Sequence, residues 1–445
     1  MNKHIRHTAL VLALILVLSA FAGCNTVSPG AASDPTAAPG SAANGIRLAV
    51  GTGYTAKGEL EKAYIAAMNR FTVALVDSMG EDWTGVVSPL SFAMMLELLA
   101  NGAGEAENKV ILDALLTELG MEATNENAAR LITALERSIK AITDSDDDTV
   151  RKAEGSAKLN LLSAILVASG DKFTEDFEHN AADYYNASVG SIDFRDTQAA
   201  LEEINGWVNE NTNGLIPTLF DQISADTTMA LLNALYFNAT WEKPFAAYRE
   251  GDESSGVFHG VNGDAVVTML RRDSDSLAYG EFDEHQVVLV PYAGGEFYMA
   301  IVLPEKSASP AAALAAVIDR LGECSEASVS VTMPAVELKT KFDAMQILPE
   351  LGLEGISNGD LQFSKMVDSA TILLTQFVHA SVLRVTEAGT EAAAATGVTG
   401  TKNGGPMFID MEHSIVCNRP YAMAIVHAST GAVLFASTVN DAPAN

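Results

Sequence analysis

Near the C-terminus the chain reads Val385-Thr-Glu-Ala-Gly-Thr-Glu-Ala-Ala-Ala-Ala-Thr-Gly-Val398, and the fold turns on how this run divides in steps of two. On an extended strand Ala388, Thr390, Ala392, Ala394, Thr396 and Val398 share one side, while Glu387, Gly389, Glu391, Ala393 and Ala395 share the other. Both charges fall on one face. The uncharged face carries small side chains that fit between two existing strands without overpacking, and the other face keeps its glutamates in water. The run therefore reads as a strand held in reserve, built to change secondary structure. A flexible linker is the compositional alternative, and the chain supplies its own comparison. Residues 28–43, SPGAASDPTAAPGSAA, are similarly rich in small residues but carry Pro29, Pro35 and Pro39, which forbid strand pairing. No proline interrupts Val385 to Gly405.

The 445 residues are 48% hydrophobic, enough to bury a large core. A net charge of −30, from 57 acidic against 27 basic residues, argues against nucleic acid or other polyanions as partners. Lys3, His4, Arg6 and His7 precede an apolar run from Ala9 to Ala22, too short for a comfortable membrane span, so the N-terminus reads as an export signal. Its end, Phe21-Ala-Gly-Cys24, resembles a bacterial lipobox, although Phe21 departs from the usual aliphatic residue. That resemblance implies a signal peptide over 1–23, lipidation at Cys24, and a protein anchored at the cell surface by lipid or, failing that, secreted. Residues 24–57, proline-rich and polar, then read as a disordered tether, and 58–445 as the folded domain. Cys324 and Cys417 are the other cysteines; they pair or are buried as small hydrophobes.

The folded body opens with an amphipathic helix over about Glu59–Met79, where Leu60, Tyr64, Ala67, Met68, Phe71 and Leu75 have helical spacing. Ser88-Pro-Leu-Ser91 places a cap and a first-turn proline ahead of a second, apolar helix, and more helix is expected to about Ile142. Asp144 to Asp148 imitates a calcium loop but has no glycine or twelfth-position glutamate in place, and reads as a solvated loop. Strands are expected at Leu159–Val167 and Ala187–Phe194, with helices at Lys172–Tyr185 and Thr197–Asn211. Strands then dominate, at Thr228–Thr240, Ala265–Leu270, Gln286–Tyr292, Phe297–Leu303 and Ala327–Met333, with helical patches near 310–321 and 342–353. Helices first and strands later, without regular alternation, indicate an α+β fold with mostly antiparallel or mixed sheets.

Several motifs, in one order, resemble the serpin family over roughly Leu60 to Pro443. They are Ser88-Pro-Leu-Ser91 with Asn101-Gly-Ala-Gly104; Asn213-Gly-Leu-Ile216; Leu231-Leu-Asn-Ala-Leu-Tyr-Phe-Asn-Ala-Thr-Trp241-Glu-Lys-Pro-Phe245; His379 with Glu387–Thr396; Asn418-Arg-Pro-Tyr421; and Gly431-Ala-Val-Leu-Phe435. The resemblance implies three sheets, eight or nine helices and an exposed reactive-centre loop in a metastable native state. It implies inhibition of a serine protease, and less readily a cysteine protease, by covalent trapping with loop insertion into the main sheet. The alternative is a non-inhibitory serpin acting as a binding or structural protein, a class that tends to carry bulky or charged hinge residues.

By position, the resemblance makes Glu387, Gly389, Thr390, Glu391, Ala392, Ala393, Ala394, Ala395 and Thr396 the loop hinge. Ser88, Ser91, Asn233 and His379 match the polar cluster beneath the main sheet, and Trp241 the aromatic where insertion begins. Ala388 stands where the family often has an acidic residue. The loop is longer than usual, so the scissile position counted from the hinge falls on Asn403, with Gly404 following, while counted from Asn418 it falls near Ile409. Lys402, Met407 and Phe408 remain candidates, the first suiting a trypsin-like pocket and the others a subtilisin- or chymotrypsin-like one.

Gly355-Ile-Ser-Asn-Gly359 matches a hydrolase nucleophile elbow, but a helix-like run leads into it, whereas an elbow needs strand, strained turn and helix. Activity through Ser357 is not expected. Histidines are dispersed, with no metal spacing, and no cofactor is indicated. The expectation is a monomeric inhibitor, not an enzyme, touching membrane only through its lipid.

Overall fold

The computed structural model describes residues 45–144, 157–247, 256–368, 372–390 and 411–442, all within the unit Ala42–Asn445; the other unit, Met1–Ser41, lies outside the described residues. In chain order the elements are β1 (Gly45–Leu48), α1 (Lys62–Asp77), β2 (Gly85–Val87), α2 (Pro89–Asn101), α3 (Glu105–Ala114), α4 (Met121–Thr143), β3 (Lys158–Ala168), α5 (Glu175–Tyr185), β4 (Ser188–Ile192), α6 (Thr197–Asn211), β5 (Met229–Thr240), β6 (Ala246–Ala247), β7 (Val257–Gly260), β8 (Gly263–Val266), β9 (Met269–Phe282), β10 (His285–Pro291) and β11 (Phe297–Leu303). They continue with α7 (Pro310–Val317), β12 (Ser325–Pro334), β13 (Val336–Asp343), α8 (Glu354–Ser357), β14 (Gln376–Val385), β15 (Gly389–Thr390), β16 (His413–Val416), β17 (Tyr421–His427) and β18 (Val433–Val439).

These strands make three sheets: a main sheet ordered β1-β4-β3-β5-β15-β14-β13, a second ordered β16-β12-β9-β10-β11-β17-β18-β2 with β6 on β9, and the pair β7-β8. Eight α-helices among the described residues complete the expected α+β class. α2 explains why the main sheet has something to pack on. Its start is fixed by Ser88, whose side chain caps the Ser91 N–H, and by Pro89; every residue from Pro89 to Ala100 is buried. Phe92, Phe377 and Phe342 meet beneath the sheet at centroid distances of 4.9 and 6.5 Å from Phe92. On the opposite face α6 covers the sheet through Ala200, Ile204 and Val208, which pack with Leu162, Ala164, Leu232, Ala234 and Ala380. Over this stretch both faces of the main sheet are therefore dry.

Several expectations need correction. The tether read over 24–57 ends earlier, because Gly45–Leu48 pairs antiparallel with Ser188–Ser191 as the outer strand of the main sheet. Acidic side chains far along the chain hold that segment by its backbone: the N–H groups of Ile46, Val50 and Thr52 donate to Glu203, Glu178 and Asp183 at 3.2, 3.0 and 3.0 Å. Residues 24–44 lie outside the described residues. The helical patch near 342–353 is a 3₁₀ turn at Ala344–Gln346 followed by turns. The strand expected at Ala265–Leu270 is divided between β8 and β9. The two folded-body cysteines are free thiols, and burial pushes them up to about 11 for Cys324 and about 12 for Cys417.

Candidate functional site

β14 ends at Val385, and the chain turns back through Thr386–Ala388 so that Gly389 and Thr390 enter the main sheet as β15. Thr390 pairs with Val385 of β14 on one side and Ala239 of β5 on the other; Gly389 pairs with Thr240. The turn is bolted to the top of β5. The Trp241 N–H donates to Ala388 O at 2.9 Å, the Trp241 indole to Thr386 O at 3.0 Å, and the Phe245 N–H to Glu387 O at 2.9 Å. A β-carbon on Gly389 would stand 2.3 Å from Ala239 O, so this approach admits glycine alone. Within β15 the two faces are not yet distinguished: Thr390 is buried as expected, but Gly389, read as wet-face, is buried against β5 as well, and the exposed Glu387 lies in the turn before the strand. Thr390 presents its hydroxyl to the Tyr292 hydroxyl at 2.5 Å, and Tyr292 stacks on Trp241 with centroids 4.4 Å apart. Tyr292 was not singled out in the sequence; an aromatic before an Ala-Gly-Gly turn gives no sign of what it touches.

Below β15 the gap is closed. β14 pairs directly and in parallel with β5 from Gln376↔Ala230 to Ser381↔Leu235. The four polar residues read from the sequence meet at this junction, all with 0% exposure. The Ser88 N–H donates to His379 Nε2 at 3.2 Å, which makes that nitrogen an acceptor; the ring proton is then on Nδ1, 2.7 Å from Asn233 Oδ1. The Ser91 hydroxyl also donates to Asn233 Oδ1, at 2.9 Å, and Asn233 Nδ2 returns a bond of 2.9 Å to Ser91 O. Two further members were missed in the sequence: Ser381 Oγ, 3.0 Å from His379 Nε2, and Ser163 Oγ, 3.4 Å from Asn233 Nδ2. Burial lowers His379 to about 3, so the ring is neutral at neutral pH. The cluster thus spans α2, β3, β5 and β14. Pulling β5 from β14 breaks it, and each buried polar group left bare costs about 1–3 kcal/mol unless a new partner arrives.

Glu391 to Thr396, the scissile candidates Lys402, Asn403, Gly404, Met407 and Phe408, and Cys24 lie outside the described residues. Ser357 sits at the end of α8, exposed, with its hydroxyl donating to Glu354 O at 3.0 Å within its own turn. That arrangement has a helix where an elbow requires a strand.

Residues 66–442 match the family model described as Serpin (serine protease inhibitor). Alpha-1-antiproteinase 2 of Equus caballus is 29% identical over 361 residues, covering 80% of this chain and 80% of that protein. Serpin I2 of Homo sapiens is 24% identical over 369 residues, 80% of this chain and 85% of that protein. Among solved structures, the thermophilic serpin Tengpin in the native state superposes with a TM-score of 0.74 at 23% identity, covering 88% of this chain and 97% of that one. With a family match across most of its length and the same three-sheet architecture, the chain belongs to the serpin family.

Proposed function

We propose that this serpin inhibits serine-type endopeptidases by covalent trapping, with the cut reactive loop entering the main sheet between β5 and β14. The observation that carries this reading is β15, already lodged between those two strands at the top. If the inserted strand keeps this register, Ala392 would lie between Phe237 and Leu383, Ala394 between Leu235 and Ser381, and Thr396 between Asn233 and His379. The first two sites are apolar or small, and the third lies at the polar cluster. A threonine hydroxyl arriving there supplies a donor and an acceptor as the direct His379–Asn233 bond breaks.

The chemistry belongs to the protease. Its serine oxygen bonds to the scissile carbonyl, the peptide C–N bond breaks, and the new amine leaves on the segment that runs into β16. An ester then joins the hinge side of the loop to the protease. Hydrolysis of that ester would free both partners; insertion, if faster, carries the acyl group down the sheet and distorts the protease before water attacks. The inhibitor contributes a scissile bond and a sheet whose β5–β14 seam must part to admit a strand.

The test is to incubate residues 25–445 with trypsin-, chymotrypsin-, elastase- and subtilisin-like proteases, run denaturing gels and locate the cut by mass spectrometry. A denaturant-resistant adduct is expected, with the cut within 402–409 and Asn403-Gly404 as the central register. Cleavage there by every protease with no adduct would replace this reading with that of a non-inhibitory binding serpin.

A further inference from the structure

What begins the insertion can be read from one buried contact, on the premise of the trapping mechanism above. Thr390 Oγ1 lies 2.5 Å from the Tyr292 hydroxyl, and both residues are buried. Tyr292 has little freedom to follow a departing partner. Its ring is held by the stack on Trp241 at 4.4 Å and by the Phe237 edge at 5.2 Å, and its N–H donates to Phe297 O at 3.0 Å. Trp241 in turn holds the turn before β15 by two hydrogen bonds. A fixed hydroxyl thus meets the first inward-facing residue of the entering strand.

We infer that Tyr292 is a positioning residue for inhibition: its hydroxyl seats Thr390 between β5 and β14 before cleavage, and so sets the share of acyl-enzyme that is trapped rather than hydrolysed. Starting a strand fixes backbone dihedrals before the ladder returns hydrogen bonds, whereas adding a residue to a seated start gains a pair at once. A hinge that has lost its seat must recover it after acylation, while hydrolysis proceeds. The number of inhibitor molecules consumed per protease trapped exceeds one by the ratio of hydrolysis to insertion. Losing one buried hydrogen bond lowers the seated population, and with it the insertion rate, by roughly threefold to tenfold.

The experiment compares the wild-type protein with Tyr292→Phe, Thr390→Val, the double variant and Thr390→Ser, against a protease that forms the adduct. Tyr292→Phe keeps the ring stack and removes only the hydroxyl; Thr390→Ser keeps a hydroxyl in place. Stoichiometry of inhibition and the denaturant midpoint are measured on all five proteins. Each single loss of a hydroxyl is expected to raise the excess stoichiometry roughly threefold to tenfold. The double variant should be no worse than either single, and Thr390→Ser should match wild type. A packing role alone lowers the denaturant midpoint and leaves the stoichiometry unmoved, which would overturn the proposal, as would additive effects in the double variant. A wild-type protein that forms no adduct removes the inhibitory reading, and this proposal with it.

Discussion

His379 is a base with no room for a second proton. Its Nδ1 proton is committed to Asn233 and its Nε2 lone pair to the Ser88 N–H, in a box closed by Phe92 and Phe342 at 5.4 Å each. Burial holds its folded-state value near 3, below the ordinary 6.5. The unfolded chain therefore binds the proton more tightly, so the stability this ring contributes is full above pH 6.5 and is lost as pH falls toward 3. Unfolding free energy measured by denaturant at several pH values should fall by about 1.4 kcal/mol per pH unit more steeply in wild type than in His379→Gln through that window. Equal slopes would mean that His379 does not titrate there. Residues such as His379 and Asn233 could be singled out because recognisable motifs surround them. Ser163 and Tyr292 could not, since a serine or tyrosine on a strand is ordinary and its partner is remote: Asn233 is 70 positions from Ser163, and Thr390 is 98 from Tyr292; Ser381 lies only two positions from His379, but a serine there is ordinary and no motif marks it.

At the scale of elements, the composition of the hinge follows from what covers the main sheet. The sequence reading assigned Glu387, Gly389, Glu391, Ala393 and Ala395 to a wet face. On the proposed insertion, continuing the register of β15 would set Glu391 beside Asn238 and Arg384 near the top, but Ala393 beside Tyr236 and Val382, and Ala395 beside Ala234 and Ala380. Ala234, Ala380 and Val382 belong to the cluster packed under α6. Charge can therefore be carried at the top of the entering strand and not below it, which accounts for alanine on both faces from 392 to 395. Ala392→Glu would drive a carboxylate between Phe237 and Leu383, both nearly inaccessible to water. The expected outcome on gels is loss of at least about tenfold in adduct, with cleaved, free inhibitor in its place. An undiminished adduct would mean that this position never enters the sheet. Period-two patterning made the reserve strand legible, because one slip of register exchanges every side chain between faces. The outer strand β1 was not legible. Its Ile46-Arg-Leu alternation is short, and the Arg47 partner, Glu178, lies on α5.

For the whole molecule, the order of helices and strands was enough to give the α+β class, while the arrangement of strands was not. The main sheet places β5 beside β14 and β3 beside β4, pairings between segments that loops and whole helices separate, and no local propensity encodes them. The described main sheet closes its lower half with β5 against β14 while its upper half already holds the two residues of β15. A protein arranged in this way is expected to gain stability when its loop is cut, since the freed strand can add a full ladder of pairs and small buried contacts.

The decisive measurement is thermal unfolding of the protein before and after its loop is nicked within 402–409 by a protease that it does not trap. Insertion between β5 and β14 requires the nicked protein to unfold well above the intact one, and nicked Ala392→Glu to lack most of that rise. A nicked wild-type protein that unfolds at the same temperature as the intact one, or below it, would contradict the claim that the loop is a strand of the main sheet held in reserve.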